Sequence, residues 1–181
     1  KEEATFNISR PINYNLLMSY EEYINYEKTF KNIIKTSHEN KVFSKTNLIN
    51  KFIYTTQQCI GATLDALPAN KANTARKING DLFERLIRII IENLGVDVRE
   101  GTVKVPIEID GKRQLDMSYQ HDLILHEEEE IKAIGSVKTS SKDTIDKVFI
   151  DKFLYNKLTD TKTPHFAIFL NDVQRKGKEG K

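Results

Sequence analysis

Apolar residues recur along this chain with two different periods, and the change falls near residue 95. Before it the spacing is helical. Tyr23, Tyr26, Phe30, Ile33 and Ile34 predict a helix from Tyr20 to about Lys35. Ser19 and Glu22 have the spacing of a capping box, in which two side chains satisfy backbone donors at a helix start. A second helix is predicted from about Thr46, with Leu48, Ile49, Phe52, Ile53, Cys59, Ile60, Thr63 and Leu64 on one side and Cys59 as a core thiol. Residues 67–74 are polar and contain the helix-stopping Pro68, which predicts a linker. A third helix is predicted over about 81–94, capped by Gly95. It is apolar around most of its circumference, which predicts burial on more than one side.

Beyond residue 95 the period becomes two. Val96 and Val98, then Val103, Val105, Ile107 and Ile109, alternate with polar residues as half-buried strands do. Asp110-Gly111 is a hairpin turn signal, after which Leu115, Met117 and Tyr119 continue the alternation. Glu127 to Glu130 reads as a solvated turn. Residues 131–137 read as a strand, 142–158 as a helix with Ser140 and Ser141 as N-caps, and 165–170 as a last buried strand. The order predicts an α/β (α+β) fold: a central mixed sheet flanked by helices, behind an N-terminal helical region.

Charge and cysteine content narrow the class. The 181 residues carry 28 Lys+Arg against 26 Asp+Glu, a net charge of +2, which excludes a histone-like polycation. It does not exclude nucleic-acid binding, because carboxylates that hold metal ions cancel phosphate-binding bases in the sum. Lys71, Arg76, Lys77, Arg175, Lys176, Lys178 and Lys181 are candidate phosphate contacts, or simply solvated. A single cysteine excludes an intrachain disulfide and a Cys-based zinc cluster. No run reaches the ~20 apolar residues of a membrane helix, and the first residues lack the apolar core of a signal peptide. A cytosolic location and no membrane partner are the expectation.

The chemistry concentrates between Asp122 and Lys138. A hairpin turning between Glu128 and Glu129 sets Asp122 opposite Gly135 or Ser136, and Lys138 shares a sheet face with Ser136. An acid and a lysine then converge at the open end of the hairpin. Metal-assisted phosphodiester hydrolysis needs this pair: a carboxylate to hold a hard cation, and an ammonium to orient water or stabilise developing negative charge. Asp116, six residues earlier, would oppose Ser136 if the hairpin centred on His126, and it stays open as the alternative first acid. His38, His121, His126 and His165 share no metal-ligand spacing and read as structural, with contact to the site open for His121 because it adjoins Asp122.

These residues resemble the PD-(D/E)xK nuclease superfamily over residues 80–170. Ser136-Val137-Lys138 is similar to its SxK branch of EcoRII-, PspGI- and NgoMIV-like type II restriction endonucleases, where Ser replaces the acid two residues before the lysine. The resemblance implies that the displaced acid comes from the following helix, at Asp151, thirteen residues after Lys138. It implies an assisting acid at Glu84, in a segment resembling Gly80-Asp-Leu-Phe-Glu84, and base reading by Lys142 and Asp143. Thr144 stands where such enzymes have Arg, a departure that puts base recognition in doubt but not the metal site. Further implications are Mg²⁺ as cofactor with Mn²⁺ as substitute, cleavage of double-stranded DNA at a G/C-rich (CCGG- or CCNGG-like) site, and a homodimer in a prokaryotic cytosol. Residues 1–75 would be a helical region for DNA contact or dimerisation, and 76–181 the nuclease core. Two other readings stay open: a structure-selective repair or recombination nuclease on the same core, and a non-catalytic DNA-binding module.

Overall fold

The computed structural model describes residues 12–39, 46–141 and 144–171. The chain divides into two compact units, Lys1–Gly95 and Val96–Lys181. The expected boundary at 75/76 is therefore displaced to 95/96, because residues 76–93 continue a single helix.

The first unit contains α1 (Tyr20–Glu39), α2 (Thr46–Asp65) and α3 (Ala72–Asn93). The capping box forms as expected: the Ser19 amide donates to Glu22 Oε2 at 2.8 Å, and the Glu22 amide to Ser19 Oγ at 3.2 Å. Tyr23 and Phe30 of α1 stack on Phe52 of α2, with ring centroids 4.9 and 4.2 Å apart.

Polar groups occupy more of α2's buried side than hydrophobic period suggests. Thr55 and Gln57 are buried there with Phe52, Tyr54 and Gly61, whereas Cys59 is exposed rather than a core thiol. Gln57 Nε2 donates to both the backbone oxygen and Oδ1 of Asn79 on α3, at 2.9 and 3.0 Å. Those bonds satisfy the amide nitrogen, while Gln57 Oε1 is buried with no hydrogen-bond partner among the described residues.

Helix α3 starts at Ala72, nine residues before the expected Asp81. Its buried line is Ala75, Asn79, Phe83 and Ile87, spaced four apart. The first two are small or polar, so the line is invisible as hydrophobic period. Leu82 and Ile89 are exposed, so the expected burial on more than one side does not hold for them. Gly95 follows the helix with φ +78°, the left-handed conformation that favours glycine.

The second unit contains β1 (Asp97–Ile109), β2 (Lys112–Glu127), β3 (Glu130–Lys138), α4 (Ile145–Thr159) and β4 (His165–Phe169). The sheet order is β1-β2-β3-β4, antiparallel except for the parallel β3/β4 pair. Helix α4 is the crossover that a parallel pair requires. The molecule is thus an α+β fold with an N-terminal helical region and a mixed four-stranded sheet.

Both turns fall where the sequence signals lie. Asp110 and Gly111 have φ of 51° and 70°, as the tight primed turn demands. Glu127 pairs across from Glu130, so the glutamate run is the β2–β3 turn, and Lys132 bonds to both of those carboxylates. Helix α4 begins at Ile145, not residue 142, and its N-cap position is Thr144 rather than Ser140 or Ser141. The Thr144 hydroxyl donates back to the Ser140 carbonyl at 3.0 Å. The core of this unit is Val105, Tyr119, Ile134 and Tyr155, enclosed by Val103, Met117, Ile131, Leu154 and Leu158. Among the described residues, no helix is long and apolar enough to cross a membrane.

Candidate active site

Two register irregularities aim Asp122. In β3 one extra residue, Lys132, lies between the pairs His126–Ile131 and Leu125–Ala133. Beyond it Leu123 pairs with Gly135, so one further step sets Asp122 opposite Ser136. On the other side of β2, the pairs Arg99–Ile124 and Gly101–His121 enclose one residue of β1, Glu100, but two of β2, Asp122 and Leu123. Asp122 therefore lies in a β-bulge, a device that bends a strand and re-aims its side chains.

The bulged carboxylate reaches across to β3. Asp122 Oδ2 accepts from the Val137 amide at 2.8 Å and from Lys138 Nζ at 2.6 Å. The side chain thus replaces a ladder bond where β2–β3 pairing ends. Lys138 is held from the other side by β4: it pairs with Phe169, and the Leu170 amide donates to its carbonyl at 3.1 Å. Asp122 is 17% exposed and Lys138 35%, so the ion pair is partly shielded from water yet open to a ligand. Ser136, opposite Asp122, is half-buried on the face that alternation assigns to Ile134 and Lys138.

Asp116 does not join this pair. It lies opposite Pro106 in the β1–β2 ladder, and Arg113 forks onto both its carboxylate oxygens. Of the two candidate first acids, Asp122 is the one brought to Lys138.

Asp151 sits half-buried on α4, one turn before Tyr155. The Tyr155 ring meets His121 edge-on at 5.8 Å and His165 at 5.6 Å. His121 and His165 approach each other at 6.2 Å, and Tyr119 lies parallel to His121 at the same separation. Burial, together with the neighbouring His165, holds the His121 imidazole below its ordinary pKa; Asp151 and Asp122 oppose that shift. Burial likewise lowers His165, against the Thr163 carbonyl bonded to its Nδ1 and the charge of Asp151. Among the described residues, neither ring's buried Nε2 atom has a hydrogen-bond partner. Spacing alone does not single these histidines out: the adjacency of His121 to Asp122 is its sequence signal, and His165 carries none.

The remaining candidates are more scattered. Glu84 is half-buried on α3, in the first unit. Thr144 stands at the N-cap position of α4 without a side-chain capping bond, and Lys142 and Asp143 lie outside the described residues. Among the described residues, no three His, Cys, Asp or Glu side chains gather around one point. The donors near Lys138 are carboxylate oxygens, which suit a hard cation. Mg²⁺ in particular keeps several waters and takes only one or two carboxylates from the protein. Asp122 fits that role: among the described residues, its bonds to the Val137 amide and to Lys138 both use Oδ2.

No protein-family profile matches this chain, and no curated protein or solved structure is significantly similar to it.

Proposed function

We propose that this protein is a Mg²⁺-dependent endodeoxyribonuclease of the type II restriction kind, acting on double-stranded DNA. The observation that carries the reading is the convergence of a bulged Asp122 on Lys138 at the open end of a hairpin. A plain surface ion pair needs no bulge, no backbone bond to the acid and no shielded lysine.

Asp122 would hold the cation together with Asp151 from the crossover helix. Bound Mg²⁺ supplies electrostatic polarisation of the phosphate and acidifies attacking water. Lys138 would orient that water or stabilise charge developing on the phosphoryl oxygens. Ser136, in place of a second acid on β3, leaves the second carboxylate to Asp151. Lys142 and Asp143 would donate to guanine and accept from cytosine in the major groove, favouring a G/C-rich site. Thr144, with its hydroxyl on the Ser140 carbonyl, would read differently from the Arg of similar enzymes. Cutting both strands of a symmetric site calls for two centres, hence a homodimer, working in the cytosol of a prokaryote.

Digestion of a defined plasmid with Mg²⁺ tests the reading, and discrete fragments are the expected result. Cutting confined to junctions or flaps would favour a structure-selective repair nuclease. Binding without cutting would favour a non-catalytic DNA-binding module.

A further inference from the structure

Helix α4 carries apolar side chains around its whole circumference, but among the described residues of the sheet unit only one side is covered. Leu154, Tyr155 and Leu158 pack into the core of the sheet unit. Ile145, Phe149, Ile150 and Phe153 are 45, 65, 56 and 68% exposed. At 3.6 residues per turn these four span an arc of about 140°, while Asp151 projects from the opposite side. Scattered exposed hydrophobics are ordinary, but a contiguous patch with two phenylalanines marks an interaction surface. A helix that is hydrophobic all round is normally buried all round.

We infer that this face of α4 pairs with the same face of a second copy of the chain, antiparallel and about a two-fold axis. The charge pattern selects this occupant. Asp146 in the first turn and Lys157 in the last both fall within the apolar arc, at its two ends. In an antiparallel pair, residues whose numbers share one sum face each other. The axis that sets Asp146 against the second copy's Lys157 also sets Ile150 against its Phe153 and, within one residue, Phe149 against its Phe153. Each copy then contributes one acid and one base, so the contact is self-complementary, as an isologous interface must be. Antiparallel helix dipoles add to the match. An acidic or a basic partner would satisfy one end of the arc and oppose the other. The inference goes beyond the nuclease reading and does not need it, since a non-catalytic chain would pair in the same way.

Sedimentation velocity of the full chain over a wide concentration series tests it, with circular dichroism to confirm that each variant is folded. The wild-type chain should show a monomer–dimer equilibrium. Phe153→Asp should weaken it by roughly a hundredfold or more, as burying two charges at an interface centre does. Asp146→Lys and Lys157→Asp should each weaken it by about tenfold through like charges met twice. The double variant Asp146→Lys/Lys157→Asp should return to within a few-fold of wild type, because exchanging the signs restores both pairs. A monomer at every concentration would overturn the proposal, and so would a dimer indifferent to Phe153→Asp or a double variant no better than the single ones. DNA cleavage is not read in this experiment, so its failure and that of the nuclease reading are separable.

Discussion

Asp122 Oδ2 serves two donors at once, the Val137 amide and the Lys138 ammonium. The structural and chemical parts of that role separate by substitution. Asp122→Asn keeps an acceptor for the Val137 amide but loses the charge, whereas Asp122→Ala takes that acceptor away. Leaving a buried donor without its partner costs about 1–3 kcal/mol. Urea unfolding should therefore find the Ala variant less stable than the Asn variant by an amount of that order, and on the proposed nuclease reading neither should cleave DNA. Equal stabilities would mean that the carboxylate does not organise the end of β3. His121 and His165 belong to the same scale. Both are held below their ordinary pKa by burial. Between the lowered folded values and the unfolded value of about 6.5, the unfolded chain binds more protons, so stability rises with pH across that window and is lost as pH falls through it. His165→Phe should flatten the fall in melting temperature below about pH 6.5; an unchanged slope would contradict the neutral, buried imidazole. Asp122 and Lys138 were legible in sequence because a turn signal fixes what lies opposite what. The histidine cluster was not, because β2, β4 and α4 bring its members together over separations that no local period records.

At the scale of elements, the β2–β3 hairpin turned where four glutamates predicted it, yet the turn alone left Asp122 between Gly135 and Ser136. The extra residue in β3 decides for Ser136, and the bulge in β2 turns the acid toward Lys138. A bulge has no signature until the partner strand is known, so this part of the site was hidden. Helix α3 was found nine residues short for a related reason: Ala75 and Asn79 carry the buried line by smallness and hydrogen bonding. The β3/β4 pairing has its own requirement. Gly135 pairs with Phe166, and a Cβ built on Gly135 would lie 2.5 and 2.7 Å from two atoms of that ring. Gly135→Ala should destabilise the protein by about 1–3 kcal/mol through overpacking, and Phe166→Leu in that background should recover part of the loss. Chemical denaturation measures both; an Ala variant as stable as the parent would mean that the ring moves aside without cost.

For the whole molecule, the change of hydrophobic period at residue 95 coincides with the division into two compact units. The boundary at 75/76 came instead from motif resemblance, because Gly80 to Glu84 reads as part of a nuclease core. Continuous helix overrides that division: Glu84 belongs to the helical unit and the Asp122–Lys138 pair to the sheet unit. Pattern and turn chemistry were thus enough for the fold class and most element boundaries. The site depended on bulges and on packing between distant segments. The central claim is that Lys138, held by Asp122, is a hydrolytic group rather than half of a structural ion pair. Its most direct test is plasmid digestion with Mg²⁺, comparing wild type with Lys138→Ala at matched DNA occupancy. The wild type should give discrete fragments and the variant a cleavage rate at least roughly a hundredfold lower, the loss expected when a group stabilising transition-state charge is removed. A Lys138→Ala protein that cuts at the parental rate would contradict it.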